Sequence, residues 1–460
     1  MQRHSEEQDV RQHAVLGHEQ LVPVDEELRN RDTGAALRCT MDTMPSTFAW
    51  LAVDDEQRRR MMEAVDQFRD ETTIDDLGVG AIRDAFSDTL FPGTSTLHTR
   101  LRYVLFIPWL MQEASKRPTT DEMNTRYHDL ERDFIGALER GTSDDEPGII
   151  GRRAGKTLQR VPSVVYGGML AQWGILERGL TSREYFARVE ASRRLDAEAP
   201  RTEDGGLGTE RIPDGLDPAL PAPPDHLLKS ADFRLLPGEV EYIQEAITRT
   251  NPGTLIARLV QERPTGWTDG DSAPPAPWAP EVLDLLSPRA DGELRSLLDL
   301  AERFSLHVHG ANLLYNLLLA EATSSDPERF RDDRVTHYRD ALESWADETA
   351  SSRPFDSEDL MSLGQLMAAR RRNFTDRTRT FLESWCEETR TPHAVADSTT
   401  ARTLITDRER LVKQGRARLR PGNLKALNAW SGASGAGRNL FRWPNVTTLL
   451  QDLYDAEGSA

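Results

Sequence analysis

The chain has 460 residues, enough to bury a large core and to form more than one domain. Acids outnumber Lys and Arg 76 to 57, a formal charge of -19, which excludes uniform wrapping by nucleic acid and confines any anion-binding surface to a local patch. The only cysteines, Cys39 and Cys386, exclude a disulfide framework or a cysteine-built metal cage, and no apolar run is long enough to span a bilayer, so a cytoplasmic protein without membrane contact is expected.

Residues 1–43 are polar and weakly periodic, which predicts a disordered leader, and Met41 and Met44 suggest a start codon downstream of Met1. A helix capped by Asp54 or Asp55 is predicted from the spacing of Met61, Met62, Val65 and Phe68. Gly78 and Gly80 flank a turn into a second helix with Ile82, Ala85, Phe86 and Leu90 on its apolar side, stopped by Phe91-Pro92-Gly93. Thr94, Ser95 and Thr96 then offer caps for a helix carrying Leu97, Leu101, Val104 and Leu105, in which Pro108 should make a kink or an end and turn Trp109 into the core. Thr119 with Glu122, and Thr181 with Glu184, read as capping boxes; Pro162-Ser163 opens a helix that Gly174 ends.

Residues 197–225 are rich in Pro, Gly and Asp and read as a linker, and 265–280 as a second proline-rich break after a helical pair near Val240 to Leu259. Leu294, Leu297, Leu298, Ala301, Phe304, Val308, Ala311 and Tyr315 predict a long helix over 292–322, buried on more than one side, with further helices over 328–348, 357–389 and 400–414. No stretch alternates with period two. The expected fold is mainly α, with minor β at most: a helical domain over 45–196, the linker, and a second helical domain over 226–460 ending in a basic tail, 401–443.

Three places carry candidate chemistry. Asp84 and Asp88 stand one helical turn apart beside Arg83, a spacing that suits a shared divalent cation or an acid–base pair, or else a structural ion-pair cluster; like charges at this spacing call for a further cationic neighbour, for which Arg100 and Arg102 are the obvious candidates. Thr94, Ser95 and Thr96 at a helix start could cradle a phosphate or simply cap. Gly151 to Thr157 lacks one residue between the glycines and a preceding strand, so it is not a phosphate-binding loop, yet Arg152, Arg153, Lys156 and Arg160 form a patch without an acid. The tail holds ten Arg or Lys residues against Asp407 and Glu409. There Arg416, Arg418, Arg420, Lys425, Arg438, Arg442 and Trp443, with the glycines of SGASGAG, could track phosphates and stack bases, or could instead neutralise the acidic remainder of the chain. Arg370, Arg371, Arg372, Arg377 and Arg379 could extend either surface. His307 and His309 lie on different sides of a helix, and no metal or cofactor is expected.

The block LGVGAIRDAFSDTLFPGTSTLHTRLRYVLFIPW, with Trp50, Ile150-Gly151-Arg152, Pro162-Ser163, Tyr166, Trp173-Gly174-Ile175 and Phe441-Arg442-Trp443, resembles an uncharacterised prokaryotic family of unknown function. The resemblance is specific over the N-terminal domain, thin through the linker and middle, and absent before Met44. It implies no catalytic residue, and it implies association with phage-defence gene neighbourhoods, where such proteins accompany helicases and nucleases. Three functions fit these observations. One is a non-enzymatic DNA- or RNA-binding or adaptor subunit using the basic tail and the 152–160 patch; the second, a metal-dependent phosphodiesterase or nucleotide hydrolase built on Arg83, Asp84 and Asp88; the third, a helical interaction scaffold. The first fits them best.

Overall fold

Helices follow the capping signals at Thr119, Pro162 and Thr181 in the computed structural model, which describes residues 75–198, 212–264, 267, 273–323 and 333–456. These belong to one of two compact units, Asp70–Ala460; the predicted leader, Trp50, Cys39 and the helix around Met61 lie outside the described residues. The regular structure described comprises fifteen α-helices and three short 3-10 turns, with no strand; one antiparallel bridge joins Leu176 to Leu216.

Helix α1 (Gly80–Leu90) buries Ile82, Ala85, Phe86 and Leu90 as the spacing predicts, and Gly93 at φ +85° turns the chain after it. The next helix, α2 (Tyr103–Ala114), starts well after Thr94 and runs through Pro108, with Trp109 fully buried. The hydroxyls of Thr94 and Ser95 are used inside the turn: Thr94 donates to Phe91 O and Ser95 accepts from Leu97 N, so neither caps a helix. Helices α3 (Thr120–Gly141), α4 (Pro162–Gln172) and α5 (Ser182–Glu198) begin where their caps predict. Thr181 and Glu184 bond reciprocally.

The second half of the proline-rich stretch is pinned in place. Glu177 N donates to Gly215 O, Asp217 N to Ile175 O, and Trp109 Nε1 to Pro221 O. The helical pair α6 (Pro237–Thr250) and α7 (Leu255–Glu262) and the single turn α8 (Pro280–Leu283) lead to α9 (Gly292–Thr323), whose predicted stripe is buried except at the half-buried Leu297. At Gly310 a Cβ would stand 2.2 Å from the ring of Trp345, so glycine is what lets α10 (Asp333–Ser351) lie against α9. The predicted helix over 357–389 is two, α11 (Ser357–Ala369) and α12 (Asp376–Glu388), separated at Arg371, which adopts φ +52°. Helix α13 (Thr399–Lys413) is followed by α14 (Leu424–Asn428) and α15 (Trp443–Asp455).

The signature helix, the long helix and the tail share one aromatic core. The Phe86 ring lies 5.6 Å from Phe304 and 4.8 Å from Phe441, and Phe91 lies 5.8 Å from Trp443. The glycine-rich segment of the tail is correspondingly held: Asn316 of α9 accepts from Ser434 N and donates to Ser434 O, and Tyr338 donates to Gly432 O.

Candidate functional site

The polar side of α1 meets two arginines that are remote in sequence. Arg372, from the α11–α12 turn, bonds Asp88 at 2.5 Å, and Arg442, from the start of α15, bonds it at 2.7 Å; both stand 3.9 Å from Asp84, which also pairs with Arg83 at 3.2 Å. Burial alone would raise the Asp88 pKa, but Arg442 and then Arg372 outweigh it, so the carboxyl is held below its ordinary range and stays charged. Such a carboxylate is a weak base. A divalent cation here would have to compete with two seated guanidinium groups, and no group of three His, Cys, Asp or Glu suited to a metal occurs among the described residues.

Arg100 and Arg102 are not the partners of this pair. They lie beyond the 91–99 turn and look elsewhere: Arg100 bonds Asp452 at 2.8 Å and contacts Glu146, while Arg102 bonds Glu239 at 2.8 Å and Asp232 at 2.9 Å. Asp452, invisible as a site residue in the sequence, also accepts from Leu101 N and lines a cleft of about 420 Å³ with Arg100, Glu146 and Asp455. Burial, only partly opposed by Arg100, pushes its pKa up to about 6. Thr94 and Ser95 are buried and Thr96 is exposed, and Arg442 and Asn445, at the start of α15, donate to the carbonyls of Thr94 and Thr96.

In the 152–160 patch Arg152 is spent on the carbonyls of Asp144 and Glu146, while Arg153 is exposed. The turn leans on α3 through Gly151, where a Cβ would meet Ile135 and Leu158.

The tail divides. Of its ten cations, seven turn inward: Arg402 to Glu321, Arg408 to the carbonyls of Leu77 and Gly78, Arg410 to Leu419 O, Lys413 and Arg418 to Asp76, Arg438 to Glu348, and Arg442 to Asp88. Trp430, Phe441 and Trp443 are buried, so the tail presents no aromatic face for stacking bases. The other three cations, Arg416, Arg420 and Lys425, are exposed and have no hydrogen bond or ion pair among the described residues. Spacing by two would set Arg416, Arg418 and Arg420 on one side of an extended strand; a 3-10 turn at Gln414–Arg416 and the turn at 418–422 instead send Arg418 inward.

The loop is closed by Asn423, whose amide donates to Gly415 O and Ala417 O. Arg377, also exposed, borders the same end of α13, because its carbonyl and the Thr378 hydroxyl receive Arg408 while Glu409 and Arg410 hold residues 418 and 419. Arg371 is exposed in the turn before it. From Arg410 to Gln451 the chain contains no acidic residue.

His307 on α9 and the half-buried Cys386 on α12 form a neutral pair. His307 and Cys386 lie 3.5 Å apart, but burial pushes the imidazole pKa down to about 3 and the thiol up to about 12, leaving both neutral. No helix among the described residues is long and apolar enough to cross a membrane.

A family described as a family of unknown function, DUF6361, matches residues 45–457, nearly the whole chain, and the protein belongs to that family. No curated protein and no solved structure matches it.

Proposed function

We propose that this member of the family is a non-enzymatic nucleic-acid-binding or adaptor subunit that contacts the phosphate backbone through the 414–425 loop, the bordering Arg377 and the exposed Arg371. One observation carries the reading. In a chain of formal charge -19, the 410–451 segment lacks acids and sends Arg416, Arg420 and Lys425 outward without partners. Three or more cations on one surface bind phosphates through counterion release, which needs no base contact.

Burial of the tail aromatics removes the stacking term that favours single strands, so the partner is a duplex, whose charge density is higher, bound with little regard to sequence. Arg418 serves this surface from behind, while Arg438, Arg442, Arg100, Arg102 and Trp443 are engaged elsewhere in the fold and do not contribute to it. The metal-dependent hydrolase is the weaker alternative, because Arg372 and Arg442 occupy the Asp84 and Asp88 carboxylates. Helicases or nucleases remain the class of protein partner that the family resemblance implies.

Anisotropy titration of a labelled 20-base-pair duplex against the wild type and Arg416→Ala/Arg420→Ala/Lys425→Ala tests the proposal. Binding to the wild type and its loss in a folded triple variant are expected. Equal affinity of the two proteins would overturn it. Removing residues 401–460 is not a usable control, since the tail supplies Ile405, Phe441, Trp443, Val446 and Leu453 to the core.

A further inference from the structure

Behind the exposed loop lies a buried cluster that no sequence signal singled out. Asp76, in the turn that leads into α1, is 4% exposed, and Glu409 on α13 is fully buried. Asp76 Oδ1 receives Lys413 Nζ and, at 3.2 Å, Arg418 Nη1, and its Oδ2 receives the Ser434 hydroxyl at 2.6 Å. Glu409 Oε1 accepts from Arg418 N at 2.6 Å and from the Tyr315 hydroxyl at 3.1 Å, and Oε2 accepts from Leu419 N at 3.0 Å.

Two carboxylates thus face two cations, and every carboxylate oxygen has a partner, which is the condition under which buried charges specify a conformation. The cluster fixes the backbone at 418 and 419 and the side chain of Arg418, the residues lying between Arg416 and Arg420.

We infer that Asp76 and Glu409 are positioning residues for the anion-binding loop, so that the signature turn at the start of α1 sets the conformation in which Arg416 and Arg420 meet phosphate. The inference rests on the proposed function above. Its mechanism is preorganisation: five cations on an ordered surface neutralise adjacent phosphates together, whereas the same cations on a loosened loop pay an ordering cost on binding.

The test uses the full chain with Asp76→Asn, Glu409→Gln, the milder Ser434→Ala, and Glu239→Gln, which removes a charge from another buried pair, that with Arg102. Duplex affinity, its salt dependence and amide exchange of Arg418 and Leu419 are measured on each. The Asp76 and Glu409 variants are expected to lose on the order of tenfold in affinity with the salt slope unchanged, because the exposed cations remain, and to exchange faster at 418 and 419. Ser434→Ala shifts affinity in the same direction by about twofold to threefold, and keeps the test informative if the charge variants do not fold. Glu239→Gln loses stability and keeps its affinity.

Wild-type affinity in a folded Asp76 or Glu409 variant, or in Ser434→Ala if those do not fold, overturns the inference, as does an equal loss in Glu239→Gln. Retained binding in the Arg416/Arg420/Lys425 triple variant overturns the proposed function instead, so the two failures are separable.

Discussion

Removing Arg442 tests whether the Asp84/Asp88 face is a structural ion-pair cluster. Truncating one partner of a fully buried pair costs about 3–5 kcal/mol, because a charge is left without compensation. Here the Arg442 side chain is 12% exposed and Asp88 is 30% exposed, and Arg372 stays on Asp88, so Arg442→Ala is expected to cost about 2–3 kcal/mol, including the bond to Thr94 O. Replacing Asp88 by Asn in the same chain removes the orphaned charge. The double variant should therefore be more stable than the sum of the single effects, with a coupling of about 1–2 kcal/mol.

Thermal midpoints resolve this poorly. At about 2.1 cal/mol/K per residue, a unit spanning Asp70–Ala460 moves by only about 1 °C per kcal/mol, and urea titration of the four proteins is the better assay. The reasoning is refuted by additive single effects. It is equally refuted if Mg²⁺ or Mn²⁺ stabilises the wild type and Asp88→Asn abolishes that gain, since the carboxylates would then be available to a cation.

Other expectations follow from individual residues. Gly310→Ala forces a methyl into the Trp345 ring and should cost about 1–3 kcal/mol in urea unfolding, although alanine is the better helix former; a neutral result would contradict the close approach of α9 and α10. Asp452 has a folded pKa of about 6, above its unfolded value, so it holds its proton more tightly when folded: its contribution to stability is full at low pH and is lost as pH rises to about 6. Asp452→Asn should flatten this part of the pH–stability curve, and an unchanged curve would remove Asp452 as its source. The Cys386 thiol, held up to about 12, should resist iodoacetamide at pH 8 in the folded protein, as read by peptide mapping, and react after denaturation.

Local signals were legible where one segment decides its own structure. The caps at Thr119 and Thr181, the stop at Gly93 and the stripe from Leu294 to Tyr315 all lie where the residues place them, because each depends on neighbours three or four positions away. The break at Arg371 and the late start of α2 were not legible, since three arginines carry no turn signature and the hydroxyls of Thr94 and Ser95 serve a turn as readily as a cap.

Helix α15 did carry a signal. Pro444 at its first turn and Val446, Leu449, Leu450 and Leu453 at helical spacing mark it, although the preceding glycines and charges read equally as a phosphate-tracking surface. The charge pairings were beyond reach: Asp88 finds Arg372 and Arg442, and Asp76 finds Lys413 and Arg418, across more than 280 positions, a choice made by packing and not by local spacing. That is why a tail that reads as wholly basic in sequence exposes only Arg416, Arg420 and Lys425 among the candidates in its 401–443 segment.

The salt dependence of duplex binding bears most directly on the proposed surface. With Arg371, Arg377, Arg416, Arg420 and Lys425 on phosphates, log K against log[salt] should fall with a slope of about -4.5 for the wild type, and Arg416→Ala/Arg420→Ala/Lys425→Ala should reduce its magnitude by about 2.7. A wild-type slope near zero, or one that the triple variant leaves unchanged, would contradict the account.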